Sequence, residues 1–159
     1  MIVLGIDPGS KRIGYGILKE KDNKLQFIAS GLLIKDSKDA NVVDIKKQMI
    51  KILNKYKPDI VGVEKIFFFK NKKTAIEVAQ ARGVIIESIL SKKIKLLEFS
   101  PLEIKRGIAG YGRAEKKSIA KIISLILKIK PAKIDDINDA LAIAIYTTNV
   151  YKFNYKFNV

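Results

Sequence analysis

The sequence predicts an α/β fold, a mixed five-stranded sheet with helices on both faces, and three observations predict it. Two short apolar runs, residues 2–6 and 60–63, have the length of buried strands, and each ends on an acid, Asp7 or Glu64. Three strand-like segments come first with no helix between them, as in an antiparallel meander. After them, segments with apolar residues at helical spacing alternate with the remaining strands, which implies parallel pairing of those strands.

Taken in order, residues 2–6 form a strand closed by the turn Asp7-Pro8-Gly9. Residues 13–18 and 25–34 complete the meander. Residues 40–56 carry Val43, Ile45, Met49, Ile50, Ile52 and Leu53 at helical spacing, and Lys57-Pro58-Asp59 ends that helix. Residues 60–63 are the next buried strand, 71–90 a long helix and 96–99 a short strand. Ser100 and Pro101 then open a helix, serine as its cap and proline at its first position. Gly110-Tyr111-Gly112 is a loop. Residues 114–128 form an amphipathic helix whose apolar face includes Ile119, Ile122, Ile123, Ile126 and Leu127, and Pro131 breaks the chain. A last helix runs from residue 134 to about 148. This order of elements is that of the ribonuclease H-like architecture. Residues 1–150 read as a single domain of that kind, and residues 151–159 as a basic, aromatic-rich tail with no assigned role.

Composition narrows the chemistry. The 159 residues include 31 Lys and Arg against 16 Asp and Glu, a net charge of +15, and such a field favours a polyanion such as nucleic acid. Cysteine and histidine are both absent, which excludes disulfides, a thiolate nucleophile, a Cys/His zinc site and a Ser-His-Asp triad. Hydrolytic chemistry would have to rest on carboxylates, lysine, tyrosine or a bound metal. The N-terminus lacks the pattern of a signal peptide and no apolar run approaches a membrane span, so the chain reads as cytoplasmic, with no membrane partner.

The acids carry that chemistry. Asp7 and Glu64 each sit where a buried strand leaves the sheet, and ligand sites in such sheets lie beyond the carboxyl ends of the strands. Asp136 and Asp139 are three residues apart at the start of a helix whose run 140–145 is too apolar for exposure, so one face of its first turn carries both acids inward. Singly, each has a plain structural explanation: Asp7 as a turn residue, Asp135, Asp136 and Asp139 as helix-start acids. Asp135 also lies one turn from Asp139 and competes with Asp136. As a set they suggest one cluster, which would repel itself unless cations neutralised it. Oxygen ligands alone select hard ions, Mg2+ or Mn2+, and two such ions about 4 Å apart can activate a water and stabilise a leaving oxygen at a phosphodiester.

The chain resembles the RuvC-type crossover junction endodeoxyribonucleases, the bacterial Holliday-junction resolvases. The likeness rests on an ordered set: Gly5-Ile6-Asp7-Pro8-Gly9-Ser10 with Gly14-Tyr15-Gly16; Val63-Glu64-Lys65-Ile66-Phe67; Gln80-Ala81-Arg82-Gly83; Gly112-Arg113-Ala114-Glu115-Lys116; and Asp136-Ile137-Asn138-Asp139-Ala140-Leu141-Ala142. The resemblance implies a homodimer that binds a four-way DNA junction and nicks two strands symmetrically in recombination and repair. It implies Mg2+, two ions per site, with Asp7, Glu64, Asp136 and Asp139 as catalytic ligands, and a branch-migration complex, RuvA and RuvB, as partner. Some members carry histidine where this chain has Asp136.

The same resemblance marks residues that would hold DNA. Phe67 matches the family's junction-probing aromatic and would stack on an unpaired base, whereas Phe68 and Phe69 read as packing residues. Lys105 and Lys116 match basic positions near the scissile phosphate. The stretch 110–113 either brings backbone and Arg113 to a phosphate or is a flexible connector. Ser10-Lys11-Arg12 is a basic turn beside the site. Along residues 71–90 the apolar residues spread wider than one stripe needs, which fits a second buried face at a dimer contact around Ile85, Ile86 and Ile89, or a helix sandwiched within one subunit. Three rival readings remain at this level: a related nuclease acting on RNA or an RNA–DNA hybrid, a nucleotide-binding protein sharing the 5–10 turn, and a non-catalytic DNA-binding protein.

Overall fold

A computed structural model describes residues 1–9, 12–34, 41–65 and 72–157, the side chains of 72–74 and 155–157 apart. The elements run β1 (Ile2–Pro8), β2 (Ile13–Lys21), β3 (Lys24–Ile34), α1 (Val42–Tyr56), β4 (Ile60–Glu64), α2 (Lys72–Leu90), β5 (Lys95–Phe99), α3 (Pro101–Ala109), α4 (Lys116–Leu127) and α5 (Asp135–Phe157). They build one five-stranded sheet in the order β3-β2-β1-β4-β5. β1, β2 and β3 pair antiparallel, and β4 pairs parallel with both β1 and β5. The mixed sheet and its element order are those the sequence predicts.

Side-chain alternation along β1 and β4 splits the core in two. Val3 and Ile60 belong to a cluster with α3, α4 and α5, while Leu4, Ile6, Val61 and Val63 belong to a second one with α1 and α2. α1 seats Ile45, Met49 and Leu53 on this second face, and Asn41 caps it by accepting from the amides of Val43 and Asp44. Val43, at helical spacing with these residues, is mostly exposed. Ser100 caps α3 in a reciprocal box with Glu103, as its position before Pro101 predicts.

α5 departs from expectation. Its end is predicted near residue 148, but the helix continues to Phe157, so most of the tail is helical. Its extension is tied down: Lys152 reaches Glu20 and Asn23 on the β2–β3 hairpin, and the Lys95 ammonium of β5 lies over the Tyr151 ring at 4.7 Å. Isolated basic and aromatic residues gave no helical stripe to read, because these contacts are made with partners distant in sequence.

α5 lies closer to the sheet than ordinary side chains permit. Gly16, Gly5 and Gly62 stand abreast on β2, β1 and β4. A Cβ at Gly5 would overlap the Ala140 carbonyl and the Ala144 amide, and one at Gly62 would overlap the Thr147 hydroxyl. At Gly14, on the next row, it would overlap the Asp136 carbonyl. Glycine on the strands and Ala140 and Ala144 on the helix thus let backbone approach backbone. Among the described residues, no helix is long and apolar enough to cross a membrane.

Candidate active site

The glycine row sets the direction of the acids. Asp7 follows Gly5 by two residues on β1, and Glu64 follows Gly62 by two on β4, so both side chains leave the sheet on the face that α5 covers. Parallel pairing of β1 with β4 brings the two strand ends side by side. The seat of α5 over Gly14 and Gly5 fixes its first turn at that same edge. Asp7, Glu64, Asp136 and Asp139 line one pocket of about 300 Å³ together with Lys105 from α3 and Lys116 from the start of α4.

Asp135 stands apart from this group. It is absent from the pocket lining, its side chain is 67% exposed, and it faces Lys116 from outside at 3.8 Å. Asp136 lines the pocket and lies 3.5 Å from the Arg12 guanidinium. Geometry therefore places Asp136, not Asp135, with the other three acids.

Crowding is visible in the electrostatics. Burial pushes the Asp7 carboxyl well above its usual range, and Glu64, Asp139 and Asp136 push it further. Glu64 is pushed up to about 7, by burial first and then by Asp139, although a hydrogen bond with Asp7 pulls the other way. Burial also raises Asp139, against the pull of Lys116. Lys116 donates to Asp139 at 2.9 Å. Burial lowers its own pKa, but the bond and the surrounding acids outweigh that and raise it. Fully ionised, the four acids would carry more negative charge than Lys105, Lys116 and Arg12 beside them neutralise, which is the electrostatic condition for cation binding. Among the described residues, no group of three or more acids is already arranged to hold a metal ion. Four oxygen-donor acids lining one pocket are nevertheless the donor chemistry that hard cations select, and Asp7, Glu64, Asp136 and Asp139 are the residues that would hold them.

The predicted DNA-holding residues divide. Lys105 and Lys116 line the acid pocket. Arg113 lies exposed in the turn before α4 and does not line it. Phe67, with Phe68 and Phe69, lies outside the described residues, as do Ser10 and Lys11. The predicted contact face of α2 requires correction: Ile85 and Ile89 are fully buried in the core beneath the sheet, and only Ile86 of the three is partly exposed. A period of 3.6 puts 85 and 89 on one face and 86 on the next, a distinction that an all-apolar run conceals. The outward stripe instead comprises Ile76, Gly83, Ile86 and Leu90, with Ile76 70% and Leu90 55% exposed and open space beside Gly83.

Sequence reasoning passed over the glycine row and the pair Arg82–Glu98. A signal for the first was present: Gly5-Ile6-Asp7 and Gly62-Val63-Glu64 repeat the pattern glycine, aliphatic, acid at both strand ends. The second pairs residues from a helix and a strand, which no local pattern announces.

Comparison with known proteins agrees with this geometry. The family model described as crossover junction endodeoxyribonuclease RuvC matches residues 3–147. The RuvC of Halothermothrix orenii is 42% identical over 160 residues, covering 98% of this chain and 97% of that protein. The RuvC of Petrotoga mobilis is 43% identical over 148 residues, with 91% of each chain covered. Among solved structures, Thermus thermophilus RuvC in complex with a Holliday junction substrate superposes with a TM-score of 0.88 at 27% identity, covering 97% of this chain and 96% of that one. A match of this extent, over a sheet that brings the acids to one edge, establishes that the chain belongs to the RuvC family of crossover junction endodeoxyribonucleases and has its ribonuclease H-like fold.

Proposed function

We propose that this protein resolves four-way DNA junctions by metal-ion hydrolysis of two phosphodiesters, one in each active site of a homodimer. The observation that carries the reading is the gathering of Asp7, Glu64, Asp136 and Asp139 in one pocket at the sheet edge. These four carboxylates would hold two Mg2+ ions, with Mn2+ as a substitute. When bound, the ions would supply Lewis-acid activation of the attacking water and stabilisation of the leaving oxygen. Lys105 and Lys116, on two different helices at the pocket wall, set positive charge where the scissile phosphate enters. Lys116 has a second role: it partly neutralises Asp139 until the ions arrive. Arg113, exposed before α4, would hold the DNA backbone further out, and Phe67 would meet unpaired bases at the branch point.

In this reading residues 1–150 form the nuclease domain and the helical part of 151–159 braces it against the β2–β3 hairpin. The outward stripe of α2 makes the contact between subunits. A large basic excess over the chain suits the four DNA arms. The enzyme works in the cytoplasm beside the branch-migration complex, RuvA and RuvB.

Incubation with a mobile four-way junction and Mg2+ tests the proposal. Paired nicks that yield two ligatable duplexes are expected, with linear duplex and an RNA–DNA hybrid left largely intact. Equal cutting of the hybrid would favour the ribonuclease reading, and binding without cutting at any Mg2+ concentration would favour a non-catalytic one.

A further inference from the structure

Three of the four acids are explained by the glycine-seated helix and by β1 at the centre of the sheet. Glu64 is not, because it ends its strand. The β1–β4 ladder finishes at Ile6 and Val63, one residue before it. On the other side, β5 pairs Phe99 with Glu64 and receives the Lys65 amide at 2.7 Å. The Glu64 carbonyl lies past the β1 ladder, and there a side chain takes over: Arg82 of α2 donates its Nε–H to that oxygen at 3.3 Å.

Arg82 is itself held. Its guanidinium pairs with Glu98 on β5, and Glu98 stands beside Val63 in the β4–β5 ladder. The pair is largely shielded, with side chains 20% and 34% exposed for Arg82 and Glu98. Val63 and Leu96 belong to the α2 side of the sheet, so by alternation Glu98 faces α2 as well. Arg82 therefore grips the Glu64 backbone from the face opposite the one into which the Glu64 side chain projects. A guanidinium suits this task, since its planar fork can direct one N–H to the Glu64 carbonyl while its charge pairs with Glu98, whereas an ammonium is a single point charge.

We infer that Arg82 is a positioning residue for the metal site: clamped by Glu98, it fixes the peptide that follows Glu64 and so aims the Glu64 carboxylate. It also links that carboxylate to α2, whose neighbouring Gly83 opens onto the stripe proposed for subunit contact. The inference rests on the reading of Glu64 as a metal ligand. Side chains that orient metal ligands from behind are worth roughly 10–100-fold in metal affinity.

The test titrates Mn2+ alone into DNA-free protein, by calorimetry or electron paramagnetic resonance, for wild type, Arg82→Lys, Glu98→Gln and Glu64→Gln. Thermal melts without metal run alongside. Arg82→Lys should weaken Mn2+ binding about tenfold. Junction binding in Ca2+ should stay within about twofold of wild type, because the phosphate contacts lie elsewhere. Cleavage should fall at low Mg2+ and recover as Mg2+ is raised. Glu98→Gln keeps an acceptor for Arg82 and should give a smaller shift in the same direction. A purely structural role would lower the melting temperature and leave Mn2+ affinity of the folded protein unchanged; that result in either variant overturns the inference. If Glu64→Gln loses affinity while Arg82→Lys does not, the inference alone fails. If Glu64→Gln binds Mn2+ like wild type, the reading of Glu64 as ligand fails, and the inference with it.

Discussion

The two faces of the sheet are packed by opposite means. Toward α5 the central strands present Gly5, Gly16 and Gly62, and helix backbone rests on strand backbone. Toward α1 and α2 they present Leu4, Ile6, Ile17, Val61 and Val63, which meet Met49, Leu53, Ile85 and Ile89 in ordinary side-chain packing. Side chains can shift rotamer to absorb a change in volume, but backbone cannot. The glycine face therefore fixes α5 tightly, and it is the face that delivers Asp136 and Asp139 to the pocket. Among the described residues, the aliphatic face supplies no acid to the pocket and reaches the site through the Arg82 bond to the Glu64 carbonyl.

The largest effect should come from the acids that the glycine face aims. Under the proposed mechanism Asp7→Asn or Asp139→Asn removes a ligand charge and should take junction cleavage in Mg2+ to background, with junction binding kept. Asp135→Asn, one residue from Asp136 but turned outward, should cut at close to the wild-type rate. Single-turnover cleavage of a labelled junction separates them, and a dead Asp135→Asn beside an active Asp136→Asn would overturn this orientation of α5.

On the other face the outward stripe of α2 is the vulnerable feature. Ile86→Glu puts a carboxylate where the partner helix is proposed to lie, and burying it unpaired should cost several kcal/mol of association. The variant should sediment as a monomer with an unchanged circular dichroism spectrum and lose paired nicking. A folded, dimeric and fully active Ile86→Glu protein would remove this stripe from the interface. Substituting Ile85 in the same way would say nothing about assembly, since that residue is buried within the subunit.

The faces can also be compared directly. Gly5→Ala adds one methyl where the Ala140 and Ala144 backbones leave no room. Overpacking of this kind should destabilise by about 1–3 kcal/mol or more, and by lifting α5 it should slow cleavage as well. Ile85→Val removes one methylene on the opposite face and should cost about 0.5–1.5 kcal/mol with cleavage unchanged. Urea unfolding paired with single-turnover rates measures both. Equal loss of activity per unit of stability in the two variants would mean that the glycine seat has no special part in aiming the acids.

What the sequence made legible follows the same division. Elements whose signal is local were readable: the apolar runs of β1 and β4, the Ser100-Pro101 start of α3, and the acid pair one turn apart on α5. The meeting of Asp7 and Glu64 was readable only in part: the intervening helix implies parallel strands, but that β4 lies beside β1 is set by the sheet. Long-range terms were not readable. The continuation of α5 past Thr148 is braced by Lys152 on Glu20, a partner 132 residues away. The sequence leaves open whether Ile85, Ile86 and Ile89 face a partner or the core, because they are alike in chemistry; the sheet covers Ile85 and Ile89 and leaves Ile86 partly exposed. Arg82 enters the sequence reading only as part of the motif Gln80-Ala81-Arg82-Gly83, and its task appears once Glu98 and the end of β4 are placed beside it.

The smallest effect concerns protons, and it tests how the acids behave before a cation arrives. The Glu64 carboxyl is pushed up to about 7 from an ordinary value of 4.5, by burial and by Asp139. The folded, metal-free protein thus holds a proton on Glu64 at pH values where the unfolded chain has released it. A folded pKa raised in this way contributes stability that is full below about 4.5 and is lost as pH rises through about 7. Asp7 and Asp139 are also raised and act in the same direction. Glu20 and Glu103 are lowered, so their contribution changes below 4.5 and falls outside this window. Melting temperatures of wild type and Glu64→Gln in EDTA, measured across that interval, isolate the effect. The variant should match wild type near pH 4.5 and become progressively the more stable of the two as pH approaches and passes 7. Saturating Mn2+ should reverse the trend, because the ion binds the deprotonated carboxylate and competes with the proton. Parallel pH profiles for the two proteins in EDTA would mean that folding does not hold a proton on Glu64 in this interval.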